Sequence, residues 1–196
     1  ISPHRLWKRD HSDFDGVRRI ATDLEFLTME NVIEAQRPEH SLITEQSKMS
    51  GYVTDCFSIE ISRAVKLSDF IEAFYKTPLF RLERVVLSLA PKGRMRDADV
   101  TALSKGLTDR IFIWEVETRH DAHILLSAGG TKSWLMVQPI EDGTRLYFGS
   151  VLVPAPFKVK GEAPKVGWLI HSLMGAHLLY SRLLLQAAVR RLMQRG

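Results

Sequence analysis

The sequence predicts an α+β protein in which one curved antiparallel sheet wraps a long C-terminal helix. Three observations predict it. Between residues 110 and 154 lie four stretches rich in β-branched and aromatic residues, "RIFIWEVETR", "AHILLSA", "TKSWLMVQPI" and "TRLYFGSVLVP". A further period-two stretch at 52–61 is separated from them by helical patterns. Finally, "WLIHSLMGAHLLYSRLLLQAAVRRLM" runs from Trp168 to Met193 without an acid or a proline.

The strands come first. In "VTDCFSIEI", Val53, Phe57, Ile59 and Ile61 share one face, and Thr54, Cys56, Ser58 and Glu60 the other. Asp55 is a carboxylate on the apolar face. Among the four later strands, "SAGGTK" and "EDGTR" supply the Gly-Gly and Asp-Gly pairs that tight hairpins use, and "RHD" makes the remaining turn. Between the first strand and these, "LSDFIEAFYK" reads as a helix capped by Ser68. "TPLFRLERVVLSLA" has Thr77 at the cap and Pro78 at the first helical position, and "DADVTALSKG" is a short helix closed by Gly106. "PAPFKVKGEAPKVG" is a proline-broken loop.

Residues 1–50 read as an N-terminal helical extension and linker, and residues 51–196 as the sheet–helix domain. Phe14, Val17, Ala21, Leu24 and Leu27 recur at steps of three and four, with Ser12 placed to cap a helix in "HSDFDGVRRIATDLEFLTMENVIEAQ". "RPEHSLITEQSKMSG" lacks sustained periodicity and reads as linker. Strand, helices, antiparallel strands and long helix, in that order, give the helix-grip arrangement.

The last helix is long enough to cross a bilayer, but its wheel argues against a span. Val166, Ile170, Leu173, His177, Leu184 and Ala188 fall on one face. His171, Ser172, Gly175, Arg182, Gln186 and Arg190 fall opposite, with Trp168 and Leu179 among them. A broad apolar arc with a narrow polar strip belongs on a core, and Arg182 would be costly in lipid. The basic end leaves peripheral membrane contact open. His171 belongs to the polar strip. His177 stands in the apolar arc with Tyr180 on its flank, so its imidazole needs a polar partner on the sheet or on a ligand.

Composition bounds the function. The chain has 196 residues, 45% hydrophobic and 26% charged, with a formal net charge of +4. That profile is globular. "PKGRMRDAD" and Lys158, Lys160 and Lys165 are basic but carry no interleaved aromatics, so no nucleic-acid partner is expected. Cys56 is the single cysteine, which excludes an intrachain disulfide and any zinc site built on two or more cysteines. The localisation read from this is cytoplasmic. The chain begins at Ile1 without a methionine, so a removed tag, signal or anchor stays open.

The candidate site is built around His177. Asp55 and His177 are the candidate catalytic residues, because a carboxylate–imidazole pair orients the ring and raises its basicity. A buried structural hydrogen bond is the plainer account of the same pair. Trp114, Ser133, Trp134, Tyr147, His177 and Tyr180 are the candidate ligand-binding residues, with Ser127 or Ser150 as further polar points. "EVETRHDAH" gathers Glu115, Glu117, His120, Asp121 and His123, but His120 and His123 would point to opposite sides of a regular strand. A solvated hairpin is therefore favoured and no metal is expected. Cys56 has no assured base beside it.

"YVTDCFSIEI", "FIWEVETR", "SWLMVQP", "RLYFGSVLV" and "LMGAHLLYSRLLLQAA" together resemble a bacterial family of domains of unknown function over about residues 51–190. In some proteins that domain follows an NmrA-like Rossmann domain, and it is similar to the START-like, polyketide-cyclase superfamily. The cues are Asp55, the strand of Trp134, and His177. The resemblance implies a helix-grip fold and an apolar cavity. No Rossmann pattern is read in these 196 residues, so no cofactor is expected. The function expected is binding of a hydrophobic small molecule or lipid between sheet and helix. The alternatives are a cyclase- or dehydratase-type enzyme using His177 as acid or base, and an interaction module docking a partner, a membrane surface or a second copy as a homodimer.

Overall fold

The structure, a computed structural model, describes residues 32–81, 96–153 and 167–194, with side chains from residue 175 onward in the last stretch. The chain divides into residues 1–31 and a unit of residues 32–196. The helix expected around Phe14 to Leu27, the loop of residues 154–166 and most of the second central helix lie outside the described residues.

Twelve elements carry labels here. In chain order they are β1 (Ile33–Glu34), α1 (Leu42–Ser47), β2 (Val53–Thr54), β3 (Phe57–Ile61) and α2 (Leu67–Tyr75). Then come α3 (Asp97–Ser104), β4 (Arg110–Ile111), β5 (Trp114–Arg119), β6 (His123–Ala128), β7 (Thr131–Ile140), β8 (Gly143–Leu152) and α4 (Gly167–Met193). The strands form one antiparallel sheet in the order β1-β3-β8-β7-β6-β5-β4, with β2 also paired to β8. This sheet curves around α4, the helix-grip layout that the sequence predicts. α4 lies on β3, β8 and α2, and α2 in turn packs on β7 and α3.

Alternation along the strands sends side chains to two different cores. On the α4 side, Phe57, Ile59, Ile124, Leu126, Leu135, Leu146 and Phe148 join Phe70, Phe74, Leu184, Leu185 and Ala188 in the main cluster. On the other side, Cys56, Leu125, Trp134, Tyr147 and Val151 pack against Ile43 of α1 in a smaller cluster. The stretch that reads as linker thus supplies the cover of the outer face. Its helix is too short to show a period: α1 has 6 residues, capped by Ser41. Ile33 and Glu34, at the end of the expected first helix, are strand instead and pair with Ser58 and Phe57.

Local signals explain most boundaries. Thr77 caps the helix that begins at Pro78: its Oγ1 accepts from the Phe80 amide at 3.1 Å and donates to the Phe74 carbonyl at 3.0 Å. Gly106 ends α3 with φ 71°, and Gly129 turns the β6–β7 hairpin with φ 61°. Two expectations shift. α2 starts one residue before Ser68, with Lys66 at its cap and no side-chain cap bond. The strand of "RIFIWEVETR" breaks after Ile111, where Phe112 takes φ 56°.

The start of β8 is fixed by contact with the turn after β3. Thr144 Oγ1 donates to the Arg63 carbonyl at 2.8 Å and accepts from the Val65 amide at 3.0 Å. Arg63 Nη1 then reaches the Leu192 carbonyl at the end of α4, at 2.8 Å, where a cation is favoured. Gly143 allows this approach, since a Cβ there would stand 1.9 Å from the Ile61 carbonyl oxygen. Gly143→Ala is therefore expected to destabilise the fold by about 1–3 kcal/mol, as overpacking does. The exposed Leu179→Ala control should stay within about 0.5 kcal/mol; urea denaturation followed by circular dichroism measures both.

Candidate functional site

The period-two stretch at 52–61 is not one continuous strand. β2 and β3 pair with β8 in a single register: Thr54 faces Val151, and Phe57 faces Phe148. Counting inward, Asp55 falls opposite Ser150 and Cys56 opposite Gly149, with no residue inserted. In a regular pair the two residues exchange both backbone hydrogen bonds. Here the Asp55 amide donates to the Ser150 carbonyl at 3.1 Å, but the Ser150 amide donates to the Asp55 carboxylate, Oδ1, at 2.8 Å. The side chain has displaced its own carbonyl from the ladder. That carbonyl turns against Gly149, where a Cβ would stand 2.7 Å from its oxygen. A glycine inside a strand marks this close approach.

Three polar groups meet at the interruption. Ser150 Oγ lies 2.7 Å from Asp55 Oδ2 and 2.6 Å from His177 Nε2 of α4. His177 Nε2 lies 3.1 Å from the same Asp55 Oδ2. The Asp55 side chain is 10% exposed and that of His177 29%.

Counting protons fixes the donors. Ser150 has one hydroxyl proton. If it went to Nε2, the hydroxyl and carboxylate oxygens would face each other with no proton between them, as would the ring lone pair and the carboxylate. With the ring proton on Nε2, Nε2–H donates into the Ser150–Asp55 pair and Ser150 Oγ–H donates to Asp55 Oδ2. Every short contact then has a donor. We therefore assign His177 the Nε2–H form, which leaves Nδ1 as the nitrogen that no described residue meets.

This is not a nucleophilic relay. In such a relay the carboxylate holds one ring nitrogen and the serine faces the other. Here both crowd the same nitrogen, the hydroxyl proton goes to the carboxylate, and Ser150 is only 5% exposed. What the arrangement provides is an oriented imidazole: Nδ1 accepts a hydrogen bond when the ring is neutral and donates when it is charged.

The structure brings some sequence-selected residues to His177 and holds others apart. Asp55 meets it. Ser133 is paired with Ser150 across β7–β8 and is buried on the same face. Trp114 is buried in the main cluster, its Nε1 without a described partner, and Tyr180 is half-buried against that cluster. Trp134 and Tyr147 lie in the outer cluster beneath α1, on the other face of the sheet from His177. The Tyr147 hydroxyl donates to Gln138 Oε1 at 2.9 Å.

Arg182 and Gln186, on the opposite arc of the wheel, are not simply solvated. Gln186 is buried, and the Arg182 guanidinium sits 5.2 Å from the centroid of the Phe57 ring. A long stem lets an arginine fold back over apolar surface. Burial and, secondarily, the Asp55 carboxylate push the Cys56 thiol up to about 12, so it stays protonated and is no nucleophile at neutral pH.

In "EVETRHDAH", Glu117 pairs with Lys132 at 2.7 Å and Glu115 with Arg110 at 3.6 Å. The rings of His120 and His123 stack 4.8 Å apart, because the hairpin turn between them returns both to one side. Among the described residues no three metal-ligating side chains converge, and no described helix is long and apolar enough to cross a membrane.

Ser150 is the site residue whose role the sequence does not reveal. Its signal is cross-strand: only the register of β2, β3 and β8 places it against Asp55. Compared with protein-family models, curated proteins and solved structures, the chain finds no match in any of the three. Asp55→Ala leaves the buried Ser150 amide and hydroxyl without their acceptor, and is expected to cost about 1–3 kcal/mol for each group left unpaired. Ser150→Ala, which removes donor and bulk together, should cost less. Chemical denaturation of the two variants compares them.

Proposed function

We propose that the domain binds a small amphipathic or apolar molecule at the seam between α4 and the open end of the sheet, its polar end on His177. The observation that supports this reading is the oriented imidazole with a nitrogen that no described residue meets, next to partly exposed apolar surface. Beyond the Asp55–Ser150–Ser133 row, the same sheet face continues through Val53, Leu152 and Thr131. Val53 is 50% exposed, and the other two are half-buried. On the inner side it continues into Phe57, Phe148 and Leu135. An apolar wall with a few convergent polar groups is the usual make-up of a small-molecule site. The START-like resemblance implies the same use of the fold, with a hydrophobic small molecule or lipid as ligand.

A second reading has one specific observation in its favour. A carboxylate-held imidazole with its other nitrogen open is what general acid–base catalysis requires. On that reading the domain is a cyclase- or dehydratase-type enzyme in which His177 moves the proton and Asp55 orients it.

A fluorescent long-chain fatty acid tests the binding reading. It should bind saturably, and His177→Ala should weaken it about tenfold, the worth of one charge-assisted hydrogen bond. Trp134→Phe, on the other face, should leave the affinity unchanged. Equal binding by wild type and His177→Ala would sink the reading. Native mass spectrometry of the gently purified protein then separates the two functions: a carried molecule released unchanged favours the binder, and one that incubation converts only when His177 is intact favours the enzyme.

A further inference from the structure

A second candidate site lies at the far end of β8. Thr144, which faces Pro139 of β7, is six residues from Ser150, or about 20 Å at the usual rise of a strand. A cleft of about 520 Å³ opens there between four segments: the start of α2, the end of α3, the β5–β6 turn and the end of β7. That volume lies within the range of small-molecule sites, about 300–1,000 Å³.

Its lining is cationic. Lys66, Lys105 and Arg119 face it from three different elements, with His120 beside them, against the one carboxylate of Asp121. Arg119 is held rather than free-swinging. It donates to the Leu103 carbonyl at 2.8 Å, which anchors one arm of the guanidinium on the end of α3. Its Nε is buried and has no described partner, a donor left over in a partly desolvated group. Burial pulls the Arg119 guanidinium below its ordinary pKa, with Asp109 acting the other way. A bound anion would favour its charged form.

The start of α2 adds to this. Lys66 at its cap makes no side-chain cap bond, so first-turn amides at this end of the helix, which lines the cleft, lack a side-chain acceptor from the cap. The remaining wall is apolar, with Leu67, Ala122 and Val137.

We propose that this cleft binds a small organic phosphate, its phosphoryl group among Lys66, Lys105 and Arg119 and its organic part on the apolar wall. Arginine offers a planar fork that matches phosphate oxygens, and lysines add point charge. The cleft is larger than a bare phosphate needs, which gives the organic part its place. The site is separate from His177 and does not rest on the function proposed above.

Phenyl phosphate, inorganic phosphate and benzyl alcohol are the probes. In a nitrogen–proton NMR titration, phenyl phosphate should shift the amides of Ser68, Gly106 and Ala122 saturably, and inorganic phosphate should do so more weakly. Benzyl alcohol should not bind there at the same concentrations. The double variant Lys66→Gln, Lys105→Gln changes two exposed side chains and should keep the fold. It should weaken phenyl phosphate at least about tenfold. Raising the salt should weaken binding as well. Absence of saturable shifts, shifts scattered over lysines outside the cleft, or an unchanged affinity in the double variant would each overturn the proposal.

Discussion

The Asp55 carboxylate accepts the amide hydrogen of Ser150, and the geometry of the site depends on that exchange. A backbone carbonyl would ordinarily fill the place. Because the side chain fills it, the strand at 52–61 divides into β2 and β3 while keeping one register with β8. The displaced carbonyl needs the room that Gly149 leaves. The second carboxylate oxygen then faces α4 and takes both the Ser150 hydroxyl and the His177 ring proton. A buried carboxylate is costly unless it is hydrogen-bonded. Here the described contacts supply three donors, and the last of them ties α4 to the sheet.

The fold itself follows from a simpler constraint, the two-sided burial of the sheet. The α4 side needs a helix with a wide apolar arc, and Leu184, Leu185 and Ala188 supply it. The outer side, with Trp134 and Leu125 fully buried, needs a cover as well, and α1 places Ile43 over it. Strand alternation puts Cys56 on the outer face, where it is buried. The two ends of β8 have different chemistry. One carries an imidazole held by a serine and a carboxylate, and the other an array of cations around a cleft.

Much of this is legible in the sequence, and what is not has definite physical causes. The strands after residue 110, the hairpins at Gly129 and Gly143 and the cap at Thr77 follow from local chemistry, and the structure has them. His177 stands out because its position on the helical wheel conflicts with its polarity. Asp55 stands out because a carboxylate breaks a period-two pattern. Their meeting is long-range, but each residue lacks a local explanation, and that points them toward one another. α1 and β1 are too short to carry a period. Ser150 is one polar candidate among several in the sequence, and only the register sets it against Asp55. Ser133 and Trp134 are neighbours on one strand and cannot share a face. Strand alternation alone therefore separates Trp134 from any site that uses Ser133.

His177 is held by its Nε2–H, and no described residue meets its Nδ1. Long-range proton–nitrogen correlation NMR on histidine-labelled protein reads the ring directly, at a pH where His177 is neutral. The predicted result is a protonated Nε2 and an unprotonated Nδ1, reverting toward a mixed population in Ser150→Ala, Asp55→Ala. A neutral His177 with its proton on Nδ1 in the wild-type protein would contradict the account.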